Sequence, residues 1–392
     1  MTNHARIIGV NMVKFEKPGN NEPYEVMAAR AIEGALKDAG IELDDVEQAY
    51  ASYIYGDSTC GQTALYQVGM TGMPIINVNN NCSSGSTALF LARQAVESDA
   101  ADCVLAFGFE EMRPGAIGEN WPDRTSPFQW IQQRFIELNP DLPDGPIALK
   151  VFAAAGLEYL KKYGAHPEIF GKVAVKSRKH ADHNPFALFT KELQLEEVMN
   201  SPIIYPGLRR LMACPPTCGA AAVIVCSESF AKKHNLKQSV KIIAQSMATD
   251  QPDSYENNLN LVGYGMSRRA ARKVYETAGL GPDEVDVIEL HDCFTPNEVI
   301  TYEALGLCDE GEAEKLIHDQ DNTYGGKYVI NPSGGLMSKG HPIGATGLAQ
   351  CAELVWQLRG EAGNRQVEGA KIALQHNLGL GGAAVVTMYQ KD

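Results

Sequence analysis

Short apolar runs alternate along this chain with longer stretches in which apolar positions recur every three or four residues. Such alternation predicts strands separated by amphipathic helices. In residues 1 to 118, Ile75-Ile76-Asn77-Val78 and Cys103-Val104-Leu105-Ala106-Phe107 read as strands, while Ala88-Leu89-Phe90-Leu91-Ala92 and the alanine-rich stretch ending near Ala39 read as helices. This order is that of a doubly wound α/β sheet. The rhythm breaks over residues 119 to 204, where Trp121-Pro122, Pro127-Phe128, Pro140 and Pro143 precede a helical pattern beginning at Ile147. Residues 205 to 235 resume the first pattern and residues 236 to 392 run through it again. The simplest organisation has a first half made of 1–118 and 205–235, an inserted loop domain at 119–204, and a second half at 236–392.

The two halves carry matching residues in matching order. Cys82-Ser83-Ser84-Gly85-Ser86-Thr87-Ala88-Leu89 aligns with His341-Pro342-Ile343-Gly344-Ala345-Thr346-Gly347-Leu348, with glycine, threonine and leucine in register and cysteine opposite histidine. Upstream, Ala39-Gly40-Ile41 before Asp44-Asp45-Val46 matches Ala278-Gly279-Leu280 before Asp283-Glu284-Val285. Downstream, Gly219-Ala220-Ala221-Ala222-Val223-Ile224-Val225 matches Gly382-Ala383-Ala384-Val385-Val386. Two long copies indicate a duplication related by a pseudo-dyad, since a solenoid needs several short repeats.

Composition narrows the class. A chain of 392 residues exceeds the size at which one core usually stops growing. With 44% hydrophobic and 21% charged residues it has ordinary globular proportions. No apolar run is long enough for a membrane span, and the start Met1-Thr2-Asn3-His4-Ala5-Arg6 carries no secretory segment. A cytoplasmic location is therefore expected, or a peroxisomal or mitochondrial one in a eukaryote. Nine irregularly spaced cysteines argue for free thiols. A net charge of -14 disfavours nucleic-acid binding and leaves a polyanionic ligand dependent on a local basic patch. Two candidates are the run Lys172, Lys176, Arg178, Lys179, His180 and the pair Arg209-Arg210. A solvated helix face accounts for such a run equally simply.

Four places carry candidate chemistry. Cys82 sits at a strand-to-helix turn, where a helix dipole stabilises a thiolate and backbone N–H groups point outward; an inert buried thiol is the alternative. In Lys339-Gly340-His341-Pro342-Ile343-Gly344, a neutral imidazole could accept a thiol proton, or could simply cap a helix. His291-Asp292-Cys293-Phe294 ends the apolar run Val285 to Leu290, at the strand end where open α/β sheets bind ligands. His291 and Cys293 could make half a metal site, but no second pair has suitable spacing and Cys214 with Cys218 is a poor zinc candidate, so no metal is expected. Gln375-His376-Asn377-Leu378-Gly379-Leu380-Gly381-Gly382 leads into a strand, the wrong context for a dinucleotide loop. A backbone donor to an oxyanion and an ordinary glycine hairpin both suit it.

Together, Asn81-Cys82-Ser83-Ser84-Gly85, Gly340-His341-Pro342 with Gly344-Ala345-Thr346-Gly347, and the closing glycine loop resemble the thiolase superfamily over the whole chain. His291-Asp292-Cys293-Phe294, His376-Asn377-Leu378-Gly379 and Asn331-Pro332-Ser333-Gly334-Gly335 resemble the sterol-carrier-protein type. The resemblance implies a five-layered αβαβα fold of two halves, with the insertion over an acyl-CoA site, and a homodimer or tetramer. The implied reaction is CoA-dependent thiolysis of a medium, branched or sterol-side-chain 3-oxoacyl-CoA, reversible as a Claisen condensation. CoA would be a cosubstrate, with no tightly bound cofactor. Two other readings stay open: a condensing or aldol-cleaving enzyme on the same fold, and a catalytically silent acyl-CoA or lipid-binding subunit.

By the same resemblance, Cys82 attacks the 3-oxo carbon and His341 takes its proton, then helps hold the enolate oxygen. Where most thiolases place a second cysteine in the last glycine loop, this chain has Asn377; Cys293 is the substitute acid and base. His291 orders a water or substrate oxygen, Asn377 and His376 are acid/base neighbours, and the N–H groups of Cys82 and Gly379 make an oxyanion hole. Lys339, Arg209, Arg210 and Lys176 are the expected contacts for CoA phosphates. The animal relatives carry a fused sterol carrier domain; with the sequence ending at Asp392 and lacking a peroxisomal tripeptide, a separate lipid carrier or partner subunit is expected.

Overall fold

The computed structural model describes residues 4–113, 121–236 and 240–392. The first half contributes strands β1 (Arg6–Met12), β2 (Gln48–Ser52), β3 (Ile75–Val78) and β4 (Cys103–Glu110). A small ribbon of β5 (Ile203–Tyr205) and β6 (Leu208–Arg209) follows within the region between the halves, before β7 (Gly219–Cys226) completes the set. The second half supplies β8 (Val240–Ala248), β9 (Val287–Glu289), β10 (Val329–Ile330), β11 (Ile372–Leu378) and β12 (Ala384–Lys391).

The duplication is visible in the strand order. The large sheet runs β10-β9-β11-β12-β8-β1-β7-β4-β2-β3, so each half arranges five strands in the same sequence outward from the central β8–β1 pair. That pair is short, matching only Arg6 with Lys241 and Ile7 with Val240. In each half the two outer pairings are parallel and the inner ones antiparallel.

Strand alternation explains the layers. On β7, Ala221, Val223 and Val225 enter a central core, while Ala220, Ala222, Ile224 and Cys226 enter an outer one. A strand buried on both faces reads as a continuous apolar run, which is why Gly219–Cys226 shows no polar alternation. The central core holds the helices Ser84–Glu97 and Thr346–Arg359 between the two five-stranded halves. Helix Tyr24–Ala39 covers the first half from outside, and Tyr264–Ala278 and Thr295–Ala304 cover the second. The result is the five-layered αβαβα arrangement.

Small residues let the central helices meet at their N-termini. A Cβ on Gly347 would stand 2.3 Å from the Ser86 nitrogen, and one on Gly85 would stand 3.0 Å from Gly347 N and Gly344 O. This contact brings the turn that carries Cys82 against the turn that carries His341. Between β4 and β7, helices Ile147–Tyr163 and Glu168–Ala181 pack on the second half and roof the same region. No helix among the described residues is long and apolar enough to cross a membrane.

Candidate active site

Four turns converge on one cavity. Asn81 adopts a left-handed φ of 50° and directs Cys82 out of the turn just ahead of helix Ser84–Glu97. His341 lies in the turn before helix Thr346–Arg359. His291 and Cys293 follow β9, and Asn377 comes from β11. One donor atom from each of Cys82, His291 and His341 lies within 4.8 Å of the other two. The His291 and His341 rings meet edge to face, their centroids 5.1 Å apart.

Hydrogen bonds set the state of each imidazole. Thr346 Oγ1 donates to Pro342 O at 2.9 Å and therefore accepts from His341 Nδ1, 2.7 Å away. The proton is thus held on Nδ1, leaving the buried Nε2 as a lone pair with no hydrogen-bond partner among the described residues. His291 receives the opposite assignment: Asn377 Nδ2 donates to its Nδ1 at 3.1 Å, which places the proton on Nε2. Burial drives His341 down to about 3 and, with the neighbouring histidines, lowers His291 well below its ordinary value. The site therefore offers one neutral imidazole acceptor and one neutral imidazole donor.

The thiols behave differently from the expectation of a dipole-stabilised thiolate. Burial, and secondarily the carboxylate of Glu110, push Cys82 up to about 12, against the N–H groups of Cys82 and Leu380 that favour the anion. Desolvation outweighs the helix terminus here and favours the neutral thiol, which would need a base to act as a nucleophile. Burial also raises Cys293 well above the ordinary thiol value, with contributions from Cys214, Cys82 and Asp292. A neutral thiol of this kind can donate a proton to a developing carbanion.

Buried acceptors hold the surrounding turns. Asp292 accepts from Leu336 N at 2.7 Å, while Asn331 Oδ1 accepts from Leu290 N at 2.8 Å, tying Asn331-Pro332-Ser333-Gly334-Gly335 to the end of β9. Glu110, fully buried at the end of β4, accepts from Tyr55 N at 2.8 Å, Gly344 N at 2.9 Å and Ile54 N at 3.2 Å. It thereby links the first half directly to the turn after His341. Burial raises its carboxyl to about 7 despite the three donors.

Above these residues opens a cavity of about 990 Å³ whose lining includes Cys82, Cys214, His291, Cys293 and His341, with Phe128, Phe152, Leu193 and Leu211 from the region between β4 and β7. Its cationic lining residues are Lys17, Arg178, Lys191 and Arg210. Arg178 and Lys17 lie over the Phe189 ring at 4.3 and 5.2 Å, and Arg178 Nη1 donates to Lys191 O at 3.3 Å.

Several expected contacts lie elsewhere. Lys176 faces inward and is buried against Glu298 and Tyr302, donating also to Ile330 O at 3.3 Å. Lys339 is buried 3.4 Å from Glu289, and Arg209 donates to Ser201 O at 2.8 Å. None of the three lines the cavity, whereas Arg210 does. Lys176 and His180 are four residues apart on the inward face of helix Glu168–Ala181, so the phase of the helix, not the run of charge, selects Arg178. Gly379 N donates to Ala383 O at 2.8 Å and is not available to an oxyanion; Leu380 N is the glycine-loop donor beside the Cys82 sulfur. His376 points away from Asn377 across the strand, with Nε2 2.8 Å from Ser267 Oγ, and does not line the cavity. The sequence reading did not single out Glu110, Lys17, Lys191 or Tyr55. Their only signal was position at the ends of apolar runs or within the irregular insertion.

Comparison with known proteins agrees with this architecture. Residues 6–229 match the family described as Thiolase, N-terminal domain, and residues 250–390 match Thiolase C-terminal domain-like. The chain belongs to the thiolase family, a family of CoA-using acyltransferases. Within it the likeness is to the sterol-carrier-protein type: the chain is 56% identical over 390 residues to sterol carrier protein 2 of Oryctolagus cuniculus, covering 98% of this chain and 71% of that protein. It is also 35% identical to benzoylsuccinyl-CoA thiolase subunit BbsB of Thauera aromatica, covering 96% of this chain and 94% of that one. Among solved structures, the Ltp2-ChsH2(DUF35) aldolase superposes with a TM-score of 0.83 at 24% identity, covering 100% of this chain and 98% of that chain.

Proposed function

We propose that this protein thiolytically cleaves 3-oxoacyl-CoA substrates through an acyl thioester on Cys82, with CoA as cosubstrate. The observation that carries this reading is the His341 Nε2, without a partner among the described residues, in the same tight cluster as the Cys82 thiol at the base of an apolar cavity. His341 accepts the Cys82 proton as the sulfur attacks the 3-oxo carbon. The N–H groups of Cys82 and Leu380 receive the resulting alkoxide, and each such donor is worth on the order of 10² to 10³ in rate. Cleavage of the C2–C3 bond leaves an enolate of the departing CoA thioester. The Nε2–H of His291 and the protonated His341 neutralise its oxygen while Cys293 protonates its carbon. The Cys293 thiolate then takes the proton of incoming CoA, whose sulfur displaces the acyl group from Cys82.

The cavity favours medium, branched or sterol-side-chain acyl groups, since about 990 Å³ bordered by aromatic and aliphatic side chains exceeds the needs of a two-carbon unit. Arg178, Lys191, Lys17 and Arg210 supply the cationic contacts for CoA phosphates. The test follows consumption of a medium-chain 3-oxoacyl-CoA with and without free CoA. Cleavage that requires CoA and disappears in Cys82→Ala supports thiolysis. CoA-independent cleavage retained by Cys82→Ala would point to aldol chemistry, and binding without turnover to a carrier subunit.

A further inference from the structure

We propose that Cys82, His291 and His341 also form a three-ligand site for a thiophilic divalent cation, with Zn²⁺ the preferred occupant, and that its binding reversibly blocks the thiol. One sulfur and two imidazoles suit zinc, and the three donor atoms lie within 4.8 Å of one another. Zinc bonds of about 2.0 to 2.3 Å require donor separations of roughly 3.3 to 3.8 Å, so the cluster has to contract by about 1 Å.

Two features independent of the cluster's composition point the same way. His341 Nε2 is a buried lone pair without a hydrogen-bond partner among the described residues, and it is directed into the cluster because Nδ1 is anchored on Thr346. Each imidazole also has its far nitrogen held by a neighbouring polar group, the arrangement that orients metal-bound histidines. For His291 the ring proton has to move from Nε2 to Nδ1. Asn377 accommodates this by turning its amide: Oδ1, buried and without a partner among the described residues, then accepts from Nδ1–H in place of the present Nδ2 donation. His291 keeps one proton throughout, Cys82 loses its thiol proton to solvent, and binding therefore releases one proton per ion. The buried Glu110 adds negative charge near Cys82, which disfavours the free thiolate but favours a dication beside it. The fourth coordination position faces the cavity and is open to water or to a ligand thiol. Occupancy converts the nucleophile into a metal thiolate, so the ion acts as a brake. The metal site stands or falls separately from the thiolysis reading, whereas its action as a brake rests on that reading.

The reduced, metal-free protein is titrated with Zn²⁺ alone by calorimetry in buffers of different ionisation enthalpy, and with Co²⁺ followed by absorbance. The expected result is one ion per chain, one proton released, and a thiolate-to-cobalt charge-transfer band that is lost in Cys82→Ser. Thr346→Val is expected to weaken Zn²⁺ binding about 10- to 100-fold. In the unmodified protein, Zn²⁺ should protect Cys82 from iodoacetamide, with EDTA restoring the reaction. Failure to bind an ion, a Co²⁺ complex without the thiolate band, a band that survives Cys82→Ser, or undiminished alkylation of Cys82 under saturating Zn²⁺ would each overturn the site.

Discussion

His341 Nδ1 and Thr346 Oγ1 lie 2.7 Å apart, and because the threonine hydroxyl is spent on Pro342 O, the pair fixes which imidazole nitrogen faces Cys82. A five-residue separation spanning the start of one helix thus sets both the aim and the tautomer of the His341 imidazole. Thr346→Val is expected to lower kcat by about 10- to 100-fold, part of the general-base contribution, with little change in unfolding midpoint. Thr346→Ser should recover most of the loss; steady-state kinetics on the pair of variants checks this.

In the proposed mechanism Cys293 supplies the proton to the enolate carbon, because Asn377 is committed to His291. Cys293→Ala is expected to reduce turnover by about 10² to 10⁴. It should also abolish enzyme-dependent deuterium exchange at the methyl carbon of acetyl-CoA, measured by NMR, while Cys82 remains alkylable. Exchange at the normal rate would remove Cys293 from this role.

Glu110 makes stability depend on pH with a definite sign. Its folded value, raised to about 7 from the ordinary carboxylate value of about 4.5, means that the native state binds the extra proton between those limits. Its stabilising contribution is complete below about 4.5 and is lost as pH rises through 7, by roughly 3 kcal/mol. Glu110→Gln removes this dependence. The stability of the wild type relative to Glu110→Gln should therefore fall between pH 5 and pH 8, as read from urea midpoints at each pH.

Gly347 sits where the central helices meet, and a Cβ there would press on the Ser86 nitrogen at 2.3 Å. Gly347→Ala is expected to cost about 1 to 3 kcal/mol in chemical unfolding. Because the same contact sets the separation of the Cys82 and His341 turns, activity should fall further than the folded fraction does.

The duplication was legible because each half repeats a long ordered set of strands and helices, and the Cys82 and His341 turns were legible because their glycines recur in register. Both features are local in sequence. The errors fell where orientation, not residue type, decides the outcome. Lys176 and Arg178 belong to one charged run, yet the helix turns the first toward Glu298 and the second toward the cavity. Gly379 has the right place for an oxyanion donor, but the turn closing onto Ala383 consumes its N–H. Glu110 ends an apolar strand beside Glu111, and its link to the site arises only from the fold, which brings Gly344 of the other half against it. The helix terminus beside Cys82 is visible in the sequence, whereas the desolvation that raises its thiol is not.

The central claim is that Cys82 becomes acylated and gives its acyl group to CoA. The most direct measurement incubates the purified protein with a medium-chain 3-oxoacyl-CoA without free CoA and follows intact mass, then maps the modified peptide. An adduct of the acyl mass on Cys82 that discharges when CoA is added is the predicted result. A folded protein with an alkylable Cys82 that forms no adduct across several chain lengths, or an adduct that CoA does not discharge, would contradict it.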